Sequence, residues 1–232
     1  QEPVFANGIH MNEMTKMPAM NPANNKNENK ISPIPTKIEG VCVYCGSGKG
    51  RDSAYAIAAR KLGKALADNG MRLIYGGGSL GLMGEVARAT LGSGGKVTGI
   101  IPEFLGSREH MLKDVDELIV VENMHVRKQL MFDRADAFVA LPGGVGTLEE
   151  LVEQLTWSQL GQHDKPIVVA NINGFWDPFL NLLQHMKAQT FIRPGLDIRF
   201  TVVETAEGIL PAILRSAGHT PQSKEREVLE KF

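Results

Sequence analysis

Short apolar runs alternate with longer segments of helical periodicity between about residue 38 and residue 215. The apolar runs predict β-strands at 40–44, 71–75, 96–101, 137–141, 167–170 and 200–203. The segments between them predict amphipathic helices at 53–69, 80–92, 125–135, 147–160, 177–188 and 205–214. Because strand and helix take turns, the pattern indicates an α/β protein with a mainly parallel sheet and helices on both faces.

The connections between these elements indicate where chemistry is to be expected. Neighbouring parallel strands are joined by right-handed crossover connections. Such connections predict a doubly wound, Rossmann-like sheet within a single domain at 38–215. Ligands bind such sheets beyond the carboxyl ends of the strands, so we expect functional residues in the loops that follow the strands. Residues 1–37 are Asn-rich and aperiodic and 216–232 are polar, so both are predicted to be flexible tails.

Composition and charge narrow the class of partner. The formal net charge is -1 and 43% of the 232 residues are hydrophobic, so the chain can bury a core. It has no charge excess that would attract nucleic acid or an anionic membrane. No apolar stretch reaches the roughly 18 residues of a membrane helix, and the start of the sequence lacks the apolar core of a secretory signal. We therefore expect a cytoplasmic protein that binds a small molecule.

Cysteine and histidine spacings give no support for a metal or redox site. Cys42 and Cys45 form a C-x-x-C motif, but residues three positions apart on a strand point to opposite faces. The sequence has no further cysteines to complete a four-thiolate zinc site, so both thiols are expected to be buried and unreactive. The spacing of His110, His125 and His163 resembles no ligand set, and no metal is expected.

Glycine-rich loops follow the first two predicted strands. The first resembles a phosphate-binding loop, but Gly50 stands where that motif needs Ser or Thr, and a tight turn accounts for the glycines equally well. The second, 76–84, contains G-x-G-x-x-G and more consecutive glycines than a turn needs, so Gly77 and Ser79 are candidate ligand contacts. A dinucleotide-dependent oxidoreductase is a further hypothesis on this motif, although Glu103, the nearest acidic partner for a ribose, is poorly placed.

A third loop, 142–146, follows a clear strand and opens a helix. Small residues at a helix N-terminus leave N–H groups at the positive end of the helix dipole, an arrangement that suits phosphate. Thr147 and Glu150 also have the spacing of a capping box, in which Glu150 would only return a hydrogen bond to the backbone. The local sequence leaves both interpretations open.

Two motifs together resemble one family. Arg127 and Lys128 within M-H-V-R-K, followed by P-G-G-x-G-T-x-x-E at 142–150, are similar to the signature of the LOG family, the cytokinin riboside 5'-monophosphate phosphoribohydrolases long mislabelled as lysine decarboxylases. The segments 75–84 and 156–166 are also similar to that family, and the resemblance extends over about 38–214.

The resemblance implies hydrolysis, without a cofactor, of the N-glycosidic bond of an adenosine 5'-monophosphate, giving free base and ribose 5-phosphate. Family members differ between N6-modified adenines and plain AMP, so an AMP nucleosidase is an alternative. Arg127 and Glu150 match the catalytic pair. The positions that match ligand contacts are Glu109, Lys128, Gly144, Val145, Gly146, Thr147, Leu148, Glu149 and Thr156. Val145 departs from the aromatic residue common in plant members, which leaves the preferred base open.

Other interpretations remain open from the sequence. A non-catalytic nucleotide-binding or carrier module would use the same loops, with Glu150 as a cap. The inherited lysine decarboxylase label requires a pyridoxal phosphate Schiff base, which no sequence feature indicates. In the family, the helix that carries Trp157 lines the subunit contact, so the resemblance implies a homodimer.

Overall fold

The computed structural model describes residues 37–106, 110–193 and 195–218. Within them the strands are β1 (Gly40–Tyr44), β2 (Arg72–Tyr75), β3 (Val97–Pro102), β4 (Glu117–Val121), β5 (Ala137–Ala140), β6 (Ile167–Ala170) and β7 (Thr201–Val203). The helices are α1 (Ser53–Asp68), α2 (Gly81–Gly92), α3 (Glu103–Gly106), α4 (Met124–Arg134), α5 (Val145–Gln159), α6 (Asp177–Ala188) and α7 (Ile209–Ala217).

The strands form one parallel sheet in the order β4-β3-β2-β1-β5-β6-β7. From β1 the chain proceeds outward to β4, and then continues with β5 on the other side of β1. This reversal places β1 beside β5, with Tyr44 opposite Ala140. In doubly wound sheets, ligands bind in the crevice beyond the carboxyl ends of the two strands at such a reversal. The predicted fold class is confirmed.

Side chains of the central strand alternate between two core layers. Val41 and Val43 pack in the layer formed with α1, α2 and α7, whereas Cys42 and Tyr44 pack in the layer formed with α4 and α5. Cys45 lies in the first layer, so the two thiols are on opposite sides of the sheet. Both are free and buried, and burial raises the pKa of each thiol, as expected for unreactive cysteines.

Several predicted boundaries differ from the structure. β4 was not predicted, α5 begins two residues earlier than its pattern indicated, and α7 continues to Ala217, past the predicted boundary at 216. The predicted N-terminal tail lies outside the described residues except for Lys37, and the C-terminal tail does so from 219 onward.

None of the helices in the described ranges has the length and apolar character that a bilayer crossing requires. Cytoplasmic localisation stays a prediction.

Asp136 fixes the start of the central strand against the start of its neighbour. Its carboxylate accepts hydrogen bonds from the backbone N–H groups of Glu39 and Gly40, at 2.8 and 2.9 Å. Because Asp136 directly precedes β5, these bonds join β1 to β5 at the amino edge of the sheet. These hydrogen bonds fix the register of β1 and β5 at the edge of the sheet opposite the crevice.

His163 connects α5 to the segment that leads into β6. Its ring is fully buried; Nε2 lies 3.2 Å from the backbone oxygen of Gln154, and Nδ1 accepts a hydrogen bond from the backbone N–H of Lys165 at 3.1 Å. This pattern requires the neutral ring with its proton on Nε2. Burial lowers the pKa of His163 to about 4, from an ordinary value of 6.5.

The free energy of unfolding should consequently fall in weak acid. The unfolded chain takes up the His163 proton near pH 6.5 whereas the folded chain resists it down to about pH 4. The free energy of unfolding therefore has its full value above pH 6.5 and falls as the pH drops from 6.5 towards 4. The loss that is due to His163 reaches about 2 kcal/mol at pH 5. Urea unfolding from pH 7.5 to 5 should show a shallower pH dependence for His163→Asn, while His185→Asn, at an exposed position of α6, should keep the wild-type slope. Parallel curves for all three proteins would contradict this role.

Candidate active site

A cleft of about 230 Å³ opens at the carboxyl ends of the central strands. Five segments form it: the end of β1 with the loop after it, the loop after β2, the start of α2, the inner face of α4, and the loop with the first turns of α5. It therefore lies at the crevice beside β1 and β5 that the topology designates for ligand binding. The residues that line it are Val43, Tyr44, Cys45, Gly46, Ser47, Gly76, Met83, Arg127, Met131, Gly144, Val145, Gly146, Thr147 and Glu150.

Arg127 and Glu150 face each other inside this cleft. Arg127 Nη2 lies 3.6 Å from Glu150 Oε1, and the two residues are only 6% and 7% exposed. Arg127 lies in the first turn of α4, whose N-cap Asn123 accepts a hydrogen bond from the Val126 N–H. Glu150 lies in the second turn of α5, which starts at Val145. The two residues that the sequence predicts as a catalytic pair are thus brought together and largely removed from water.

The guanidinium of Arg127 has donors that the protein does not use. Its Nε is buried and lacks a hydrogen-bond partner among the described residues, and Nη1 approaches only the sulfur of Met124, at 3.7 Å. A buried cation is costly unless acceptors surround it. The cleft is therefore arranged to receive an oxygen-rich or anionic group beside Arg127.

The capping box considered from the sequence does not form. The N-cap of α5 is Gly144, which offers no side-chain cap, and Thr147 is already the third helical residue. Glu150 lies in the second turn and cannot return a bond to a Thr147 cap. Glu150 therefore does not lie in the first turn of α5, where the helix dipole would act on its carboxyl group. The positive charge that faces this carboxyl group is Arg127, with Nη2 at 3.6 Å from Glu150 Oε1.

The first turn of α5 is open towards the cleft. Gly144, Val145 and Gly146 are exposed, and a Cβ added at either glycine would meet no atom within 4 Å. Behind this turn, the Gly46 N–H donates to the Pro142 oxygen at 3.1 Å, which joins the loops after β1 and β5. Backbone N–H groups at an uncapped helix start are donors for an anion.

Of the remaining predicted contacts in the described part of the chain, Lys128, Leu148, Glu149 and Thr156 are not among the residues that line this cleft. Lys128 extends to the outer side of α4, where its ammonium binds Glu149 at 2.5 Å and Glu153 at 2.9 Å. Its side chain is mostly buried and takes part in these ion pairs between α4 and α5. The Thr156 hydroxyl donates to the backbone oxygen of Val152, and Leu148 is exposed. Glu109 lies outside the described residues.

The glycine-rich connection between β2 and α2 contributes one residue to the cleft, and it is a different one from those predicted. Gly76 lines the cleft, whereas Gly77 packs against Ile101 and the Ser79 N–H donates to the backbone oxygen of His110. All these contacts of Gly77 and Ser79 are internal to the protein. Their assignment to the substrate stays a prediction.

Tyr44, Met83 and Met131 line the cleft and were not predicted as site residues. Tyr44 ends β1 at the point where the strand order reverses, a signal that the topology gives but the local pattern does not. Burial raises the pKa of its phenol well above the ordinary value, and the nearby Cys42 and Glu150 act in the same direction, so it stays neutral.

No group of three or more His, Cys, Asp or Glu residues that could hold a metal occurs in the described part of the chain.

Comparison of the sequence with known proteins identifies one matching family. The family profile described as "Possible lysine decarboxylase" matches residues 83–213, which include Arg127 and Glu150. The cytokinin riboside 5'-monophosphate phosphoribohydrolase LOG of Oryza sativa subsp. japonica is 50% identical over 157 residues, which are 68% of this chain and 65% of the rice protein. The cytokinin riboside 5'-monophosphate phosphoribohydrolase of Rhodococcoides fascians is 46% identical over 176 residues, 75% of this chain and 89% of the bacterial protein.

Solved structures agree on the fold. The Moco carrier protein of Chlamydomonas reinhardtii superposes with a TM-score of 0.57 at 23% identity, covering 78% of this chain and 98% of the carrier. At that identity the likeness concerns the fold alone. The profile match, the identity to the plant and bacterial enzymes and the intact Arg127 and Glu150 motifs show that this chain belongs to the LOG family of cytokinin riboside 5'-monophosphate phosphoribohydrolases.

Proposed function

We propose that this protein hydrolyses the N-glycosidic bond of adenosine 5'-monophosphates, including N6-modified ones, to give the free base and ribose 5-phosphate. The observation that carries the proposal is the buried pair of Arg127 and Glu150 in a cleft at the strand reversal, in a chain of this family. Relatives that carry the activity in their names are 42–50% identical to it.

The pair suits the demands of this reaction. Breaking the C1'–N bond builds positive charge on the ribose, as in glycoside hydrolysis. The Glu150 carboxylate is suited to stabilise that charge or to take a proton from the attacking water. Water supplies the hydroxyl at C1' and a proton goes to the departing base, so the reaction balances without a cofactor. Arg127 then holds phosphate or ribose oxygens with its unused donors and fixes the sugar beside the carboxylate.

The start of α5 is assigned to the 5'-phosphate. Its exposed residues Gly144, Val145 and Gly146 lie in the same cleft as Glu150, and the helix start has no side-chain cap. With a net charge of only -1, the molecule as a whole offers no other attraction for an anion. Affinity for the phosphate must then come from local donors and the helix dipole.

Other activities fit the cleft less well. Lysine decarboxylation by pyridoxal phosphate needs a lysine at the reacting centre, and none of the described residues that line this cleft is a lysine. A carrier module would have no use for a buried carboxylate opposite Arg127. Plain AMP as the main substrate is the second candidate, because Val145 at the cleft is small and 83% exposed and gives no aromatic contact for an N6 substituent.

Release of free base from AMP and from N6-isopentenyl-AMP tests the function and ranks the two substrates. We expect adenine or its N6-modified form, with equimolar ribose 5-phosphate, in the absence of added metal or cofactor. Binding of either nucleotide without turnover would instead support the carrier module.

A second part of the proposal is that two copies pair through α4 and α5. These helices form an outward groove of about 470 Å³, lined by His125, Val126, Lys128, Gln129, Leu130, Asp133, Glu153 and Trp157. Val126 and Val152 are 39% and 40% exposed on neighbouring helices, so the face carries apolar side chains that a second copy would cover. Two-fold symmetric dimers are the commonest form of soluble homo-oligomer.

Substitution of Val126 by Asp should weaken this pairing, because it places a charge at an apolar contact. Light scattering coupled to size exclusion should show the mass of two chains for the wild type and of one chain for Val126→Asp at micromolar concentration. Leu214→Asp is the matched control, since Leu214 is also exposed but lies on α7, on the other face of the sheet. Equal masses for Val126→Asp and the wild type would argue against this interface.

A further inference from the structure

Gly76, the first residue after β2, lies directly against the guanidinium of Arg127. A Cβ built on Gly76 would stand 2.2 Å from Arg127 Nη2 and 3.4 Å from its Cζ, with the Met83 sulfur at 3.1 Å. Ordinary contacts of a carbon atom are about 3.5–4.0 Å long. The volume that a side chain at position 76 would need is therefore occupied by Arg127.

This close approach involves the reacting end of Arg127. The atom nearest to the virtual Cβ, Nη2, is the one that faces Glu150 Oε1 at 3.6 Å. The guanidinium is buried, so a displaced Nη2 has little room to move while keeping its position opposite the carboxylate. A change at position 76 is thus expected to alter the geometry of the pair.

The other glycines of this loop have different structural reasons. Gly77 adopts a positive φ of 79° and lies against Ile101, and Gly81 has a positive φ of 58° and lies against the backbone of Ser47. Gly76 has no positive φ, so its backbone conformation is open to alanine. The steric demand at Gly76 comes from Arg127 and, to a lesser degree, from the flexible Met83.

We infer that Gly76 is a positioning residue for the hydrolysis: the space left by its missing side chain holds the Arg127 guanidinium opposite Glu150. The inference rests on the proposed function and extends it to a residue that does not itself carry the chemistry. It also accounts for a glycine at this point of the sequence without a direct contact to the substrate.

The decisive experiment compares Gly76→Ala in two backgrounds. With Arg127 present, kcat/KM for AMP should fall about 10²-fold, because a displacement of about 1 Å at a reacting group costs that much. In the Arg127→Lys background the added methyl meets no Nη2, so Gly76→Ala should change the remaining rate by less than about threefold. Gly92→Ala, at the end of α2 where an added Cβ meets nothing within 4 Å, should keep wild-type kinetics.

The outcomes separate steric positioning from other roles. An unchanged rate for Gly76→Ala, or an equal loss in both backgrounds, overturns the inference. If Gly76→Ala alone does not fold, a folded Gly76→Ala/Arg127→Ala protein supports it, and failure of that protein to fold overturns it.

The inference is also testable without turnover. If the wild type hydrolyses neither nucleotide, the proposed function has failed, and a crystal structure of Gly76→Ala decides the inference alone. A changed separation between Arg127 Nη2 and Glu150 Oε1 supports it, and an unchanged separation overturns it.

Discussion

Glu150→Gln should lower the rate of base release by at least about 10²-fold, because it keeps the shape of the side chain and removes the charge that supports the developing oxocarbenium. Arg127→Ala should be similarly inactive and should also bind ribose 5-phosphate more weakly. The double variant should be little worse than either single variant, because the two residues face each other across 3.6 Å and act as a unit.

The control for this series is a carboxylate-to-amide change on the surface. Glu204→Gln, at an exposed position, should retain the wild-type rate. Thermal unfolding of each variant shows whether lost activity reflects a lost fold. Glu150→Gln leaves Arg127 buried without its carboxylate, so we expect some decrease in stability together with a folded protein at 25 °C. Near-wild-type turnover by folded Glu150→Gln would falsify the catalytic assignment.

The second large effect should appear when the 5'-phosphate is removed from the substrate. Adenosine should be hydrolysed with a kcat/KM more than about 10²-fold below that of AMP, because it forfeits a set of charge-assisted hydrogen bonds worth roughly 3 kcal/mol or more. Gly146→Val should reduce kcat/KM for AMP and have little effect on adenosine, since the added side chain blocks backbone approach to the phosphate.

The structure makes this variant a selective probe. An added Cβ at Gly146 meets no atom of the surrounding elements within 4 Å, so the substitution should not disturb the packing of α5 on them. Gly92→Val places the same side chain at a similarly open glycine in α2 and should leave both kcat/KM values unchanged. Equal kcat/KM values for adenosine and AMP in the wild type would show that the helix start does not bind phosphate.

The fold could be predicted wherever the apolar pattern was unambiguous. β1 is buried along its whole length and was predicted without error, since a strand covered on both faces is a continuous apolar run. β4 was missed although four of its five residues are apolar. Its position at the edge of the sheet does not account for this, because β7 lies at the opposite edge and was predicted.

The site was predictable in part. Arg127 alone is a charge on a polar helix, and only its motif, together with that of Glu150, indicated a catalytic pair; the burial of the two side chains was not predicted. The absence of a capping box at Thr147 depends on where α5 begins, and the Lys128 ion pair with Glu149 and Glu153 depends on how α4 packs on α5. These are tertiary contacts that a local pattern does not contain.

The hydrogen bonds of Asp136 have a consequence for how the chain folds during synthesis. Asp136 follows Glu39 by 97 positions, so β1 remains without its β5 partner while that intervening segment is made. At about 5–20 residues per second, the interval lasts roughly 5–20 s. During this time β1 to β4 can form a half-sheet whose innermost strand is an apolar open edge, the situation in which nascent chains aggregate or recruit chaperones. The same long-range pairing raises the contact order and sets a slow folding rate for the domain.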